Sequence, residues 1–257
     1  MTLATLLRLA LVPAAVWIAS LAARRWGHAI SGYLGGLPMI GGPITLFLAL
    51  DLGPEFAARS ALFTLAAIAA QAAHLLTFAF VARRGSWLRS LLCGWTAFAI
   101  VALAQTALPL RPALALLMAV CGLYAAWRWL PREEGEAEAA RVPPVELRLR
   151  LIAAFALAAL IAFSAPVFGP VVSGILLSVP ITGSIIPPFT LALYGRAALA
   201  RLLRGFVVGL SGFTGFFTTL AFALGPWETT PAFALAFAVA LASVFSVDHI
   251  VRQRSRS

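Results

Sequence analysis

Nine stretches of this chain run for about twenty residues with almost no charge, and that property limits what the chain can become. A helix that crosses the hydrocarbon core of a bilayer needs ~20 apolar residues, within a range of about 17–25. The stretches are 3–23, 29–50, 58–82, 88–107, 111–130, 149–167, 170–194, 203–224 and 231–249. No period-two alternation marks them as barrel strands. Helices are therefore expected, because only helices and closed barrels satisfy every backbone polar group in lipid. Composition agrees: 62% of residues are hydrophobic, 11% are charged, and the mean hydropathy is +0.97. A soluble domain is roughly a quarter charged. A soluble enzyme, a disordered tail and a nucleic-acid-binding domain are excluded, so no nucleic-acid partner is expected. The first stretch carries Arg8 inside its apolar run and ends at Ala22-Ala23-Arg24-Arg25, so it is expected to stay in the mature protein.

The formal net charge of +10 comes from 19 arginines and no lysine. With nine spans and the N-terminus outside, 16 of those 19 arginines fall on the inner side, leaving Arg8, Arg59 and Arg111 outside. Positive loops resist translocation, so this bias sets orientation. It implies a cytoplasmic inner surface, with the N-terminus outside and the C-terminus cytoplasmic. Arg150 and Arg201 need no other role on this reading. Trp26, Trp87, Trp127, Trp129 and Trp227 fall near proposed span ends, where an indole suits the interface. Pro131 to Glu146 reads as a solvated linker between two halves, and Asp248 and His249 read as water-facing. Cys93 and Cys121 sit in apolar runs and imply neither a disulfide framework nor a metal site.

The halves repeat. Ile30-Ser31-Gly32-Tyr33-Leu34 matches Val172-Ser173-Gly174-Ile175-Leu176, 142 positions on. The same ungapped register pairs Arg8 with Arg150, Gly27 with Gly169, Pro38 with Pro180, Gly41 with Gly183, Gly53 with Gly195, and Arg59 with Arg201. Five spans separate matching elements, so the mates cross in opposite senses. Loop charge follows: Arg83-Arg84-Gly85 faces in, and its mate Gly225-Pro226-Trp227-Glu228 faces out. The expected fold is all-α and polytopic, with about nine transmembrane helices in two inverted four-helix repeats joined by a linker helix. The division is a first membrane repeat at 1–107, a linker helix and cytoplasmic loop at 108–147, and a second repeat at 148–257. Inverted repeats are characteristic of secondary transporters.

The second and seventh spans are interrupted at matching places, by Gly35-Gly36-Leu37-Pro38 with Gly41-Gly42-Pro43, and by Pro180-Ile181-Thr182-Gly183-Ser184 with Pro187-Pro188. Interior proline removes a backbone hydrogen bond. In lipid such a break must be buried or line a cavity. Gly36, Pro38, Gly41, Thr45, Pro180, Thr182, Gly183 and Ser184 are therefore candidate substrate-binding residues. Half-helix N-termini meeting there would favour an anion. Helical breaks are also built for close packing alone, and that alternative stands beside the site. In the third span Gln71, His74 and Thr77 share a face. His74 is either a proton relay with Gln71 or a neutral histidine bonded to a neighbouring helix. Arg59 is a gating candidate that pairs with Asp51 or Glu55, meets an anion, or snorkels to the interface.

Each repeat resembles the small four-helix GlpM-type bacterial inner-membrane proteins, through Ile30-Ser31-Gly32-Tyr33-Leu34 to Pro38 and Val172-Ser173-Gly174 to Pro180. That resemblance implies an inner-membrane location and no settled substrate, so no functional residue carries over. The architecture is also similar to small multidrug and drug/metabolite transporters. The membrane glutamate of the former has no counterpart in the first span, which counts against cation export. No catalytic motif, nucleotide loop, metal site or cofactor site is present, so no enzyme activity is expected. The expected function is a secondary transporter or lipid flippase moving a small anionic solute or lipid-linked phosphate by alternating access. The alternative is a non-transporting scaffold or accessory subunit. Expected partners are membrane lipids and the substrate, with a homo-oligomer left open.

Overall fold

The computed structural model describes residues 12–14, 17, 33–131 and 143–254. Most of the expected first span, including Arg8, and the linker residues 132–142 lie outside these. Among the described residues the fold is all-helical. A helical turn at 33–36 leads into α1 (Gly41–Leu52), followed by α2 (Pro54–Ala66), α3 (Ile68–Ala82), α4 (Trp87–Thr106) and α5 (Pro112–Trp129). After the linker come α6 (Pro144–Leu177), α7 (Ile181–Ala223) and α8 (Thr229–Arg254). Six stretches are long and apolar enough to cross a membrane: Tyr33–Leu52, Pro54–Ala82, Trp87–Thr106, Pro112–Trp129, Pro144–Ala223 and Thr229–Val251.

Glycine and proline set the corners. Gly53 (φ 94°, ψ 159°), Gly169 (φ 76°, ψ −175°) and Gly195 (φ 75°, ψ −167°) occupy a backbone region that is essentially closed to side chains. Pro54 and Pro170 directly follow two of them. Pro54, Pro112 and Pro144 open α2, α5 and α6, where the missing N–H costs nothing. Ser86 caps α4 by accepting the Arg89 N–H.

These corners lengthen several expected spans. The third begins at Pro54 rather than 58, the sixth at Pro144 rather than 149, and the eighth turns at Gly195 rather than starting at 203. Charged residues near the ends had marked those segments as loop, yet Glu and Arg are good helix formers and project past the apolar part. Glu146, assigned to the solvated linker, is a buried helical residue. Asp248, assigned to water, accepts a 2.6 Å hydrogen bond from the Tyr33 hydroxyl.

The core lies around α2–α3 and the part of α7 after Gly195. Most of the strongly apolar window of Pro54–Ala82 is buried (61%), against 17–22% for the windows of α4, α5 and α8. Those three present Ile100, Leu103, Leu117 and Phe245 outward, as lipid-facing helices do. The turn at 33–36 crosses α7 backbone to backbone. A Cβ on Gly36 would lie 2.6 Å from the Phe206 carbonyl oxygen, and one on Gly209 would meet the Tyr33 carbonyl oxygen. Small residues allow such an approach where lipid supplies no hydrophobic drive.

Candidate functional site

Both expected breaks are present, and they are alike. Residues 37–40 are non-helical, and the Met39 N–H bonds the Leu37 carbonyl at 2.8 Å around Pro38. Pro180 has φ −77° and ψ 60°, and the Ile181 N–H bonds the Val179 carbonyl at 2.8 Å around it. The second is an inverse γ-turn by its angles, and the first has the same three-residue bond. The two turns lie 142 residues apart.

A cavity of ≈ 70 Å³ lies between them. Gly36, Gly41, Pro180, Thr182 and Gly183 line it, with Gln71 and Arg150 as further polar wall and Leu157, Phe206 and Phe213 as apolar wall. The candidates thus converge from segments far apart in the chain. Pro38 makes its turn without lining the cavity, while Leu37 and Met39 do line it. Thr45 is off the wall, fully buried, and donates 2.7 Å back to the Gly41 carbonyl of its own helix. Ser184 is off the wall too, its Oγ buried without a partner. Arg59 is exposed on α2, away from the cavity, because the buried face of that helix is Ala57, Ser60, Ala61 and Thr64.

His74 does not line the cavity either. Its Nε2 lies 3.2 Å from the Gly183 carbonyl oxygen. A carbonyl only accepts, so Nε2 carries the proton. The reason for this bond lies four residues on: Pro187 has no N–H, so the Gly183 carbonyl lacks its helical partner. His74 supplies the missing donor. Its Nδ1 is buried without a partner, near Gly94, where a Cβ would come within 2.9 Å. Trp95 meets the ring edge-on at 6.4 Å. The histidine bonded to a neighbouring helix, one of the two readings open from the sequence, matches this geometry. Gln71 acts similarly, donating at 2.8 Å to the Ser178 carbonyl at the Pro180 break. Gln105 donates at 2.7 Å to the Ala66 carbonyl, where α2 passes into α3.

The sequence reading missed Glu146 and Arg150. They form an ion pair one turn apart on α6, with side chains only 5–6% exposed. Glu146, Arg150, Ala154, Ile161 and Ala165, with the adjacent Leu157 and Ala158 between them, recur at helical spacing and form the buried stripe of the first part of α6. That stripe, with Glu four residues before Arg, was the available signal. The positive-inside explanation of Arg150 hid it. A buried arginine is retained only with a partner, since an isolated charge in a membrane interior is costly.

The wall therefore combines one guanidinium, an amide, a hydroxyl and the starts of two half-helices with an apolar floor. Backbone N–H groups at a helix start lack intrahelical acceptors and favour negative charge. Among the described residues no three His, Cys, Asp or Glu side chains stand together as a metal site would require. No protein-family model, curated protein or solved structure matches the chain.

Proposed function

We propose that this protein is a secondary transporter of small anionic solutes, working by alternating access around the cavity between its two broken segments. The observation that carries this reading is that both breaks, contributed by Gly36–Gly41 and Pro180–Gly183, border one cavity whose wall includes the buried Arg150. Glu146 neutralises Arg150 when the site holds no substrate. An arriving anion competes with Glu146 for the guanidinium, and the half-helix starts add N–H donors. A cavity of ≈ 70 Å³ admits on the order of five waters at 10–15 Å³ each, which favours a small solute over a lipid-linked phosphate.

The nine-span inverted repeat belongs to the same proposal. As one straight helix, Pro144–Ala223 would be roughly 120 Å long at ~1.5 Å per residue, against a hydrocarbon core of ~30 Å. Corners at Gly169 and Gly195 divide it into three crossings, 144–168, 170–194 and 196–223. With the first span, which lies mostly outside the described residues, the total is nine. The paired turns at Pro38 and Pro180, and the paired corners at Gly53 and Gly195, support the duplication. A duplicated unit, like the GlpM-type proteins that it resembles, fits a bacterial inner membrane.

The test is uptake into liposomes, with labelled monovalent and divalent anions, by wild type, Glu146→Gln/Arg150→Gln and Gly183→Leu. The double variant removes both charges and leaves neither one buried alone. Wild-type uptake that both variants lose, while still melting cooperatively, supports the reading. Uptake unchanged in both, or no anion taken up by wild type, ends it.

A further inference from the structure

A second cavity, ≈ 80 Å³, lies away from the first, at the far end of α3. Its walls come from three elements. Ala79 and Ala82 end α3 and Arg83 directly follows it; Pro131 follows α5; Arg196, Leu199, Ala200 and Leu203 belong to the first turns of α7 after the Gly195 corner. Two arginines thus stand over an apolar floor. Both are exposed, and neither makes an ion pair among the described residues. Arg83 lies over the Phe80 ring at 5.0 Å, which holds its stem against an exposed apolar side chain. The third wall is fixed by Arg204, which stacks on Trp127 at 3.8 Å and donates to the Leu130 carbonyl at 3.4 Å. α5 and α7 are thereby tied together beside the cleft.

We propose that this cleft binds the phosphate of an anionic phospholipid. Arg83, just past α3, and Arg196, in α7, line one small space, and a planar guanidinium matches phosphate oxygens two at a time. The floor is apolar, and Arg83 directly follows a membrane-length helix, so headgroup and acyl chain are met together. A soluble anion would gain nothing from the apolar floor of Ala79, Ala82, Leu199 and Leu203. The cavity admits a phosphate and not a folded partner. Basic pockets between helix ends recognise lipid headgroups in this way. Bound lipid bridges the end of α3 to α7 across Gly195, and so stabilises the corner between the seventh and eighth proposed spans. The site is independent of transport, and its test does not read uptake.

The purified protein in neutral detergent is titrated with short-chain phosphatidylglycerol, short-chain phosphatidylcholine or inorganic phosphate. Thermal unfolding and native mass spectrometry are the readouts. Phosphatidylglycerol is expected to raise Tm and remain bound, while the other two do neither. Arg83→Gln/Arg196→Gln is expected to weaken phosphatidylglycerol binding about 10-fold or more and to leave Tm without lipid unchanged. Arg89→Gln/Arg128→Gln, which changes two arginines outside the cleft, should bind like wild type. Equal binding by Arg83→Gln/Arg196→Gln, or equal loss in the control variant, overturns the site. A response to inorganic phosphate as strong as that to the lipid overturns the lipid assignment.

Discussion

At the residue scale, polar side chains in this protein sit where the backbone has lost a donor. Pro187 removes the N–H that the Gly183 carbonyl would have used, and His74 replaces it. This pairing can be isolated. Pro187→Ala restores a helical donor to Gly183 and should make the histidine bond redundant. His74→Ala is expected to lower Tm in wild type and to lower it less in Pro187→Ala, with a coupling of about 0.5–1.5 kcal/mol. Equal losses in both backgrounds, measured by thermal unfolding in detergent, would remove the account. The identities of Gln71 and His74 were legible in the sequence, and so was their shared face. Their partners were not, because Ser178 and Gly183 lie more than a hundred residues away and only packing brings them near.

At the element scale, glycine serves two ends that substitution separates. At Gly53 and Gly195 nothing lies within 4 Å of where a methyl would stand, so only backbone strain opposes a side chain. Gly53→Ala and Gly195→Ala are each expected to cost about 1–3 kcal/mol, read as a fall in Tm. Gly209 has ordinary helical angles but faces the backbone of 33–36. Gly209→Ala is expected to cost about 3 kcal/mol, because a backbone cannot rotate out of the way. Gly183 is open by comparison, its nearest neighbours 3.4–3.8 Å from a Cβ, so Gly183→Ala should stay within about 0.5 kcal/mol. A Gly183→Ala loss as large as that of Gly209→Ala would show that contact distance does not govern these sites. The Gly-Pro pairs announced corners at Gly53 and Gly169 in the sequence, since both residue types punctuate helices. Gly195, followed by Arg196, carried a weaker signal, and the helix resumes directly after it rather than at the expected 203.

At the scale of the whole molecule, the proposed inverted repeat makes a directional claim. Arg84 and Trp227 lie in mate loops and should face opposite sides of the membrane. With Cys93→Ser and Cys121→Ser as background, Arg84→Cys and Trp227→Cys are expected to react with an impermeant maleimide from opposite sides of sealed vesicles. Labelling from the same side would refute the inversion. The halves are also unequal around their breaks. Gln71 and His74 reach the second break by hydrogen bonds, whereas Phe213, Phe216 and Phe217 pack on Gly41 and Gly42 beside the first. Phe213 and Phe216 occupy the repeat positions of Gln71 and His74.

Local properties were decided by the chain alone. Run length and the scarcity of charge determined an all-helical fold with stretches long and apolar enough to cross a membrane, and the Gly and Pro positions located both breaks. These depend on a residue and its near neighbours, so a sequence can be read for them. What only the tertiary structure decided is which candidates meet. It brought Gly36, Gly41, Thr182 and Gly183 to one cavity, left Thr45, Ser184 and Arg59 off its wall, and added Arg150. The physical reason is that a helix sorts its residues by face. A shift of one position moves a side chain about 100° around the axis, and only the packing of neighbouring helices determines which face is enclosed.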